Sequence, residues 1–335
     1  MDVDIVIAWV DGSDPAWRAQ KREYLPSGAS DSDSENRYRD WGLLPYWFRA
    51  VEAFAPWVRK IHFVTWGHIP DFLNTHHPKL HIVRHTDFIP APYLPTFSSH
   101  TIELNLHRID GLAENFIYFN DDMFLLHPMA PTDFFRDGLP CTYGGEEPWI
   151  FRGDVGTWAH AAANNMGVIN AHFPKKESVR QHGKKYTGRC YRWQDRLRTL
   201  ALEKLFPDHF TGFANLHAPG AYQKSTFQAV WEAEPTLLDQ TCHHRFREPT
   251  DVNQWVFLWW QIAAGHFAPS RTDNQVMSVT ENTVDLLCQT VQTQAHNMVC
   301  INDPDGDVPV DILRKRLHQA FASILPERSA FEKEV

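Results

Sequence analysis

The chain has 335 residues, 43% hydrophobic and 22% charged, with a formal net charge of −9. That is the balance of a globular protein long enough for one large domain or two moderate ones. No global basic field draws it to nucleic acid.

No stretch reaches the roughly 18 apolar residues needed to span a bilayer. The greasiest, Trp255 to Ala264, contains Gln261 and is too short. The first residues lack the basic and apolar segments of a signal peptide. Five scattered cysteines with no Cys-x-x-Cys fit a reducing cytosol better than a disulfide framework or a zinc site. The expected location is therefore cytoplasmic.

In chain order, Asp4 to Val10 reads as a buried strand, and Asp11-Gly12-Ser13-Asp14-Pro15 as a turn. Residues 27–36 are small, polar and acidic, the composition of a mobile loop. Leu43 to Ala53 reads as a helix with Trp47, Val51 and Phe54 on one side. Ile61 to Trp66 and Leu80 to Val83 are the next strands. Ser98 and Ser99 can cap a helix whose apolar face is Ile102, Leu106 and Ile109. An apolar run from Phe116 then ends in Asn120-Asp121-Asp122. Strand and helix alternate over residues 1–135, which predicts an α/β fold with a mostly parallel sheet covered on both faces.

Residues 136–175 show no clear period. Arg189 to Phe206 reads as a helix with Leu197, Leu200, Ala201 and Leu205 inward, and Phe227 to Trp231 and Val252 to Ala264 as further helices. The stretch 136–270 is thus expected to be a mainly helical insertion. Residues 271–335 return to the core and end in an amphipathic helix, Asp311 to Leu325, with Leu313, Leu317, Phe321 and Ile324 inward.

The chemistry concentrates at strand ends. Adjacent carboxylates at Asp121 and Asp122 repel, and burying them costs several kcal/mol, of order, unless a cation compensates. Hard oxygen ligands of this kind suit Mg²⁺ or Mn²⁺, although a solvated turn would carry the same letters. Trp9-Val10-Asp11-Gly12 ends the first strand on the same rim, where ligands of such sheets bind. Gly12 allows a close backbone approach, and Asp11 can take a ribose or base hydroxyl. Asp40 can cap the following helix, while Arg39 can pair with phosphate or with a carboxylate. Glu103 and His107 stand four apart, spaced for one helical face, and either line a cleft or form an ordinary exposed pair. His217 lies in a Pro-Gly loop, where a histidine can serve as general base. His243-His244-Arg245-Phe246-Arg247 is a basic cluster suited to anions. Ile301-Asn302-Asp303 is a second apolar run ending in Asn-Asp, which reads as a plain turn because Pro304-Asp305-Gly306 follows.

Together these motifs resemble the Stealth proteins, which include bacterial capsule hexose-1-phosphate transferases and the catalytic core of the animal GlcNAc-1-phosphotransferase. The likeness runs through four blocks: Asp4 to Pro15; Arg39-Asp40 through Leu94-Pro95-Thr96-Phe97-Ser98-Ser99 to Asn120-Asp121-Asp122; His217-Ala218-Pro219 with His244-Arg245-Phe246-Arg247; and Cys300-Ile301-Asn302-Asp303 with Leu325 to Glu332. The resemblance implies a glycosyltransferase-A-like fold with a helical insertion. It implies transfer of a hexose-1-phosphate, HexNAc-1-phosphate above all, from a UDP-sugar to a hydroxyl of a glycan or polysaccharide, with release of UMP. On this reading Asp122, Asp121 and Asp303 hold Mg²⁺ or Mn²⁺, and Arg247 (or Arg245) stabilises the transferring phosphate. His217 or an aspartate takes the acceptor proton. Trp9, Asp11, Gly12, Arg39, Asp40, Ser98, Ser99, Glu103 and His107 line the donor site. The alternative is a metal-dependent glycosyltransferase that releases UDP. The same likeness suggests capsule or exopolysaccharide synthesis, with peripheral association at the inner membrane face.

Overall fold

The computed structural model describes residues 1–25, 38–150, 155–214, 216–303 and 308–334. The acidic stretch 27–36 and the turn Pro304-Asp305-Gly306 lie outside the described residues.

Among the described residues eleven strands are defined, β1 Val3–Ala8, β2 Ile61–Thr65, β3 Leu80–Arg84, β4 Asn115–Asn120, β5 Met123–Leu125, β6 Phe135–Arg136, β7 Leu139–Thr142, β8 Gly220–Gln223, β9 Ala268–Pro269, β10 Asn274–Ser278 and β11 Met298–Asn302. The main sheet has the order β3-β2-β1-β4-β8. Its first four strands are parallel, and β8 is antiparallel to β4. This is the mostly parallel α/β architecture the sequence predicts, consistent with a glycosyltransferase-A-like fold.

The apolar runs are continuous because both faces of the sheet are covered. Along β1, Val3, Ile5 and Ile7 enter one core and Val6 the other. Along β4, Ile117 and Phe119 face the first core, Phe116 and Tyr118 the second. The first core is closed by helices Leu44–Phe54, Val284–Gln292 and Val310–Ile324. The second is closed by Lys224–Ala233, Pro235–His243 and Trp255–Ala263. Leu313, Leu317 and Phe321 of the last helix are buried as expected.

Two features place the functional rim. The chain runs β1 to β2 to β3 in one direction, then returns to lay β4 on the other side of β1. That reversal opens a crevice beyond the carboxyl ends of β1 and β4, where Ala8 stands opposite Asn120. Immediately after Asn120 the chain leaves the main sheet, and β5 joins a second sheet of order β10-β11-β5. The Asp121-Asp122 turn is thus the junction between two sheets. The middle stretch is mainly helical, yet its strand β8 forms an edge of the main sheet.

Two helical expectations need correction. The helix after Ser98 spans only Ser99–Leu104, and a separate 3-10 turn covers Leu106–Arg108. Glu103 and His107 therefore do not share a helical face. In the helix Trp193–Leu205, Leu197, Leu200, Ala201 and Leu205 are exposed, and Thr199 and Leu202 are buried instead. The reason is polar. Thr199 Oγ1 accepts from the Glu146 amide at 3.1 Å, Arg198 Nε donates to the Glu146 carbonyl at 3.1 Å, and the Leu202 carbonyl accepts from buried Lys175 at 3.1 Å. Satisfying that buried Lys175–Glu146 pair outweighs turning the leucines inward.

Candidate active site

Asp121, Asp122 and Asp303 come together at the sheet junction. The Ile301 amide donates to the Asp122 carbonyl at 2.8 Å, which ties the end of β11 to the acidic turn. The three carboxylates line one cavity of about 130 Å³ with Trp9, Arg39, Asp40 and Trp41. That cavity shares its Trp9, Arg39 and Asp40 walls with a broader hollow of about 840 Å³, which adds Asp11, Gly12, Arg314 and His318.

Negative charge is concentrated in this cavity. The Asp121 side chain is reachable from the cavity, yet the surrounding protein, followed by Asp122, Asp40 and Asp303, pushes its carboxyl upward. Asp303 is raised to about 6, chiefly by burial, although Trp41 and Arg39 pull the other way. Trp41 Nε1 donates to Asp303 Oδ1 at 2.7 Å, and Arg39 Nη1 stands 3.9 Å from the same oxygen. Asp122 Oδ1 is buried without a hydrogen-bond partner. It is an unsatisfied hard ligand on a cavity that Asp121 and Asp303 also line, a chemistry that suits Mg²⁺ or Mn²⁺. Among the described residues, the ligand atoms that lie within 4.8 Å of one another are those of Asp122, His217 and Cys300.

His217 meets this cluster from the middle stretch. Its Nε2 lies 3.7 Å from Asp122 Oδ2. The residue adopts φ +41°, an uncommon left-handed conformation, and its carbonyl is held by Asn274 Nδ2 at 3.0 Å. Asp122 and Asn302 draw the imidazole toward its charged form against the opposing effect of burial. That pull holds only while the Asp122 charge is uncompensated. A second hollow of about 50 Å³ adjoins the histidine, lined by Asn120, Met123, His217 and Gly220 among others.

A third group connects to the first two. Arg247 Nη2 donates to Ser99 Oγ at 2.7 Å and lies close enough to buried Glu103 to lower its pKa. Burial nonetheless raises the Glu103 carboxyl to about 7. Glu103 in turn acts on His217. Arg245 is directed elsewhere: Nη1 donates to the Pro95 carbonyl at 2.5 Å and the guanidinium covers Tyr24. The loop carrying Arg247 is anchored by fully buried Asp251, which accepts from the Glu248 amide at 2.9 Å and contacts His100 at 2.9 Å and His244 at 2.7 Å.

Several residues have narrower roles than their letters suggest. Gly12 is demanded by Tyr38, since a Cβ there would stand 2.4 Å from the Tyr38 carbonyl oxygen. Asp11 Oδ1 accepts from the amide and hydroxyl of Ser13, and the Asp11 amide donates to His68. Asp40 Oδ1 accepts from the Gly42 amide and caps no helix; the helix begins after Leu43. Ser98 occupies the N-cap of its helix without a side-chain capping bond, and its Oγ is buried. His107 is not brought to the cleft. It packs on Phe227 and Trp231 beside a different hollow, with its pKa lowered to about 3 by burial.

Sequence reasoning missed Trp41 and Cys300. Cys300 Sγ, Asp122 and His217 offer ligand atoms all within 4.8 Å of one another. The one available signal was two-residue alternation along β11, which sets Cys300 and Asn302 on the same side; Cys300 Sγ donates to Asn302 Oδ1 at 3.2 Å. Trp41 gave no signal, because its partner Asp303 is 262 residues away.

Comparison with known proteins identifies the family. Family models for Stealth protein conserved region 1 and conserved region 2 match residues 1–29 and 37–141. The chain is 36% identical to the capsular polysaccharide phosphotransferase WcwK of Streptococcus pneumoniae, across 99% of each sequence. This chain belongs to the Stealth family. It is also 38% identical to the receptor polysaccharide phosphotransferase WefC of Streptococcus gordonii, over 98% of both chains. Identity to the exopolysaccharide phosphotransferase cps2G of Lactiplantibacillus plantarum is 36%, over 99% of this chain and 96% of that one. This Stealth protein is a phosphotransferase. Its first matched region contains Trp9, Asp11 and Gly12, and its second contains Arg39, Asp40, Asp121 and Asp122.

Proposed function

We propose that this enzyme transfers a hexose-1-phosphate, HexNAc-1-phosphate in particular, from a UDP-sugar to a hydroxyl of a glycan or polysaccharide. The supporting observation is the meeting of Asp121, Asp122 and Asp303 at the crevice between β1 and β4, with His217 against Asp122. The acceptor oxygen forms a bond to the β-phosphorus. The bond from that phosphorus to the bridging oxygen breaks, and UMP leaves with the electron pair. The hydroxyl proton passes to Nε2 of His217. Phosphoryl transfer needs little beyond positioning and neutralised charge, and the cleft offers both.

Mg²⁺ or Mn²⁺ held by Asp122, Asp121 and Asp303 would supply charge neutralisation at the diphosphate. Arg247, a planar fork already oriented by Ser99, stabilises charge on the transferring phosphoryl group. Trp9, Arg39 and Asp40 line the donor cavity, and the hollow beside His217 takes the acceptor hydroxyl. We place the enzyme in the cytoplasm, at the inner face of the membrane, in capsule or exopolysaccharide synthesis; the polysaccharide phosphotransferases among its relatives support that setting.

The deciding experiment incubates the enzyme with a panel of UDP-sugars and glycan acceptors. Formation of UMP and a phosphodiester resonance in phosphorus NMR is the expected result. Release of UDP with a glycosidic product would instead identify a metal-dependent glycosyltransferase.

A further inference from the structure

The helix Trp193–Leu205 presents an apolar stripe to solvent. Trp193, Leu197 and Leu200 recur at helical spacing, and they are 67%, 55% and 48% exposed. At its carboxyl end Leu205 and Phe206 are also exposed. Exposed apolar residues scattered singly are ordinary, but a continuous stripe along one helix marks a contact surface.

The charge around the stripe indicates what it contacts. Residues 175–206 carry ten Lys and Arg against three Asp and Glu, within a chain of net charge −9, although Lys175 is buried against Glu146 and Lys176 and Arg198 pair with Asp208 and Glu147. Arg192, Arg196 and Lys204 are exposed beside the stripe, and among the described residues none of the three is in an ion pair. The acidic groups of the helix are turned inward or taken: Asp195 and Glu203 are half-buried, and Asp195 stands 3.6 Å from Arg198. A tryptophan and leucines ringed by uncompensated arginine and lysine fit the boundary between headgroups and acyl chains of an anionic bilayer. The thirteen-residue helix is far too short to cross one. A second copy of this chain fits less well, because a symmetric pairing through this face would oppose two basic surfaces.

We infer that the helix Trp193–Leu205 docks in-plane onto an anionic phospholipid membrane, with Trp193, Leu197 and Leu200 seated below the headgroups. This deepens the membrane-face placement proposed above and does not depend on the transfer chemistry.

The test is flotation of the full chain with vesicles of phosphatidylglycerol and phosphatidylcholine, against vesicles of phosphatidylcholine alone. The wild type should bind the anionic vesicles and be released by high salt. The paired change Leu197→Glu and Leu200→Glu should weaken binding by about tenfold or more. Arg192→Glu with Arg196→Glu should do likewise. These positions are exposed, so circular dichroism and phosphotransfer to a soluble acceptor should be unchanged. Equal binding by the variants, or equal binding to neutral vesicles, overturns the inference. So does a wild-type dimer that the leucine changes break while no vesicle binding occurs. Vesicle binding without detectable phosphotransfer would leave the docking face standing and count against the proposed reaction instead.

Discussion

Trp41 and Asp303 are separated by 262 residues, yet Trp41 Nε1 donates to Asp303 Oδ1 at 2.7 Å. The indole ties the third carboxylate of the cleft to the segment carrying Arg39 and Asp40. Groups that orient a metal ligand typically matter about 10–100-fold in affinity. Trp41→Phe keeps the ring and removes the donor, and it should weaken Mn²⁺ binding by at least about tenfold on that scale. Calorimetric titration of Mn²⁺ reads this directly. Unchanged affinity would mean that Asp303 does not serve the metal.

Asp122→Asn should keep the fold and lose nearly all transfer, because a neutral ligand holds a divalent cation poorly. Circular dichroism checks the fold. A rise in melting temperature on adding Mn²⁺ should appear in the wild type and be absent in the variant, since a ligand bound only by the folded state stabilises it. Full transfer in excess chelator would defeat the metal reading.

His217→Ala should slow transfer by roughly 10²–10⁴-fold while UDP and Mn²⁺ still bind. Slow hydrolysis of the UDP-sugar should survive, because activation of the electrophile does not use the imidazole. Near-wild-type transfer in this variant, with loss in Asp121→Asn at unchanged metal affinity, would move the base to Asp121.

For the basic cluster, the expected outcome is asymmetric. Arg247→Lys should depress turnover more than it weakens donor binding, because a point charge does not reproduce the fork held by Ser99. Arg245→Lys should mainly cost stability through its Pro95 and Tyr24 contacts. The reverse pattern in steady-state kinetics would reassign the role to Arg245.

Glu103 makes a prediction about pH. Burial raises its carboxyl in the folded protein to about 7, from an ordinary value of 4.5. Between those values the folded state holds a proton that the unfolded state has lost. Stability from this group is therefore full below the lower value and falls as pH rises through the upper one. The span corresponds to roughly 3 kcal/mol. Glu103→Gln should flatten the fall in denaturant midpoint between acidic and neutral pH. A wild-type and variant difference that does not change with pH would show that Glu103 ionises normally.

Much of this molecule was legible without coordinates, for a physical reason. Strands covered on both faces must be apolar throughout, so β1, β2 and β4 announce themselves as runs. Charge placed where such a run stops needs an explanation, and that singled out Trp9 to Gly12 and Asn120 to Asp122. The same logic undervalued Asn302-Asp303, read as a plain turn, because nothing local shows that β11 pairs with β5.

The remainder belongs to tertiary structure. Whether Glu103 and His107 share a face depended on a helix ending at Leu104, and the two side chains part there. The leucines of Trp193–Leu205 looked like a core face, yet the helix turns Thr199 and Leu202 inward toward the buried Lys175–Glu146 pair and leaves the leucines in solvent. Arg245 and Arg247 differ only in which partner the fold brings near, Pro95 or Ser99. Local sequence determines which segments must bury apolar surface. Which polar groups meet within hydrogen-bonding reach is decided by contacts between distant segments, because electrostatic and hydrogen-bond energies depend on distances that no sequence spacing encodes.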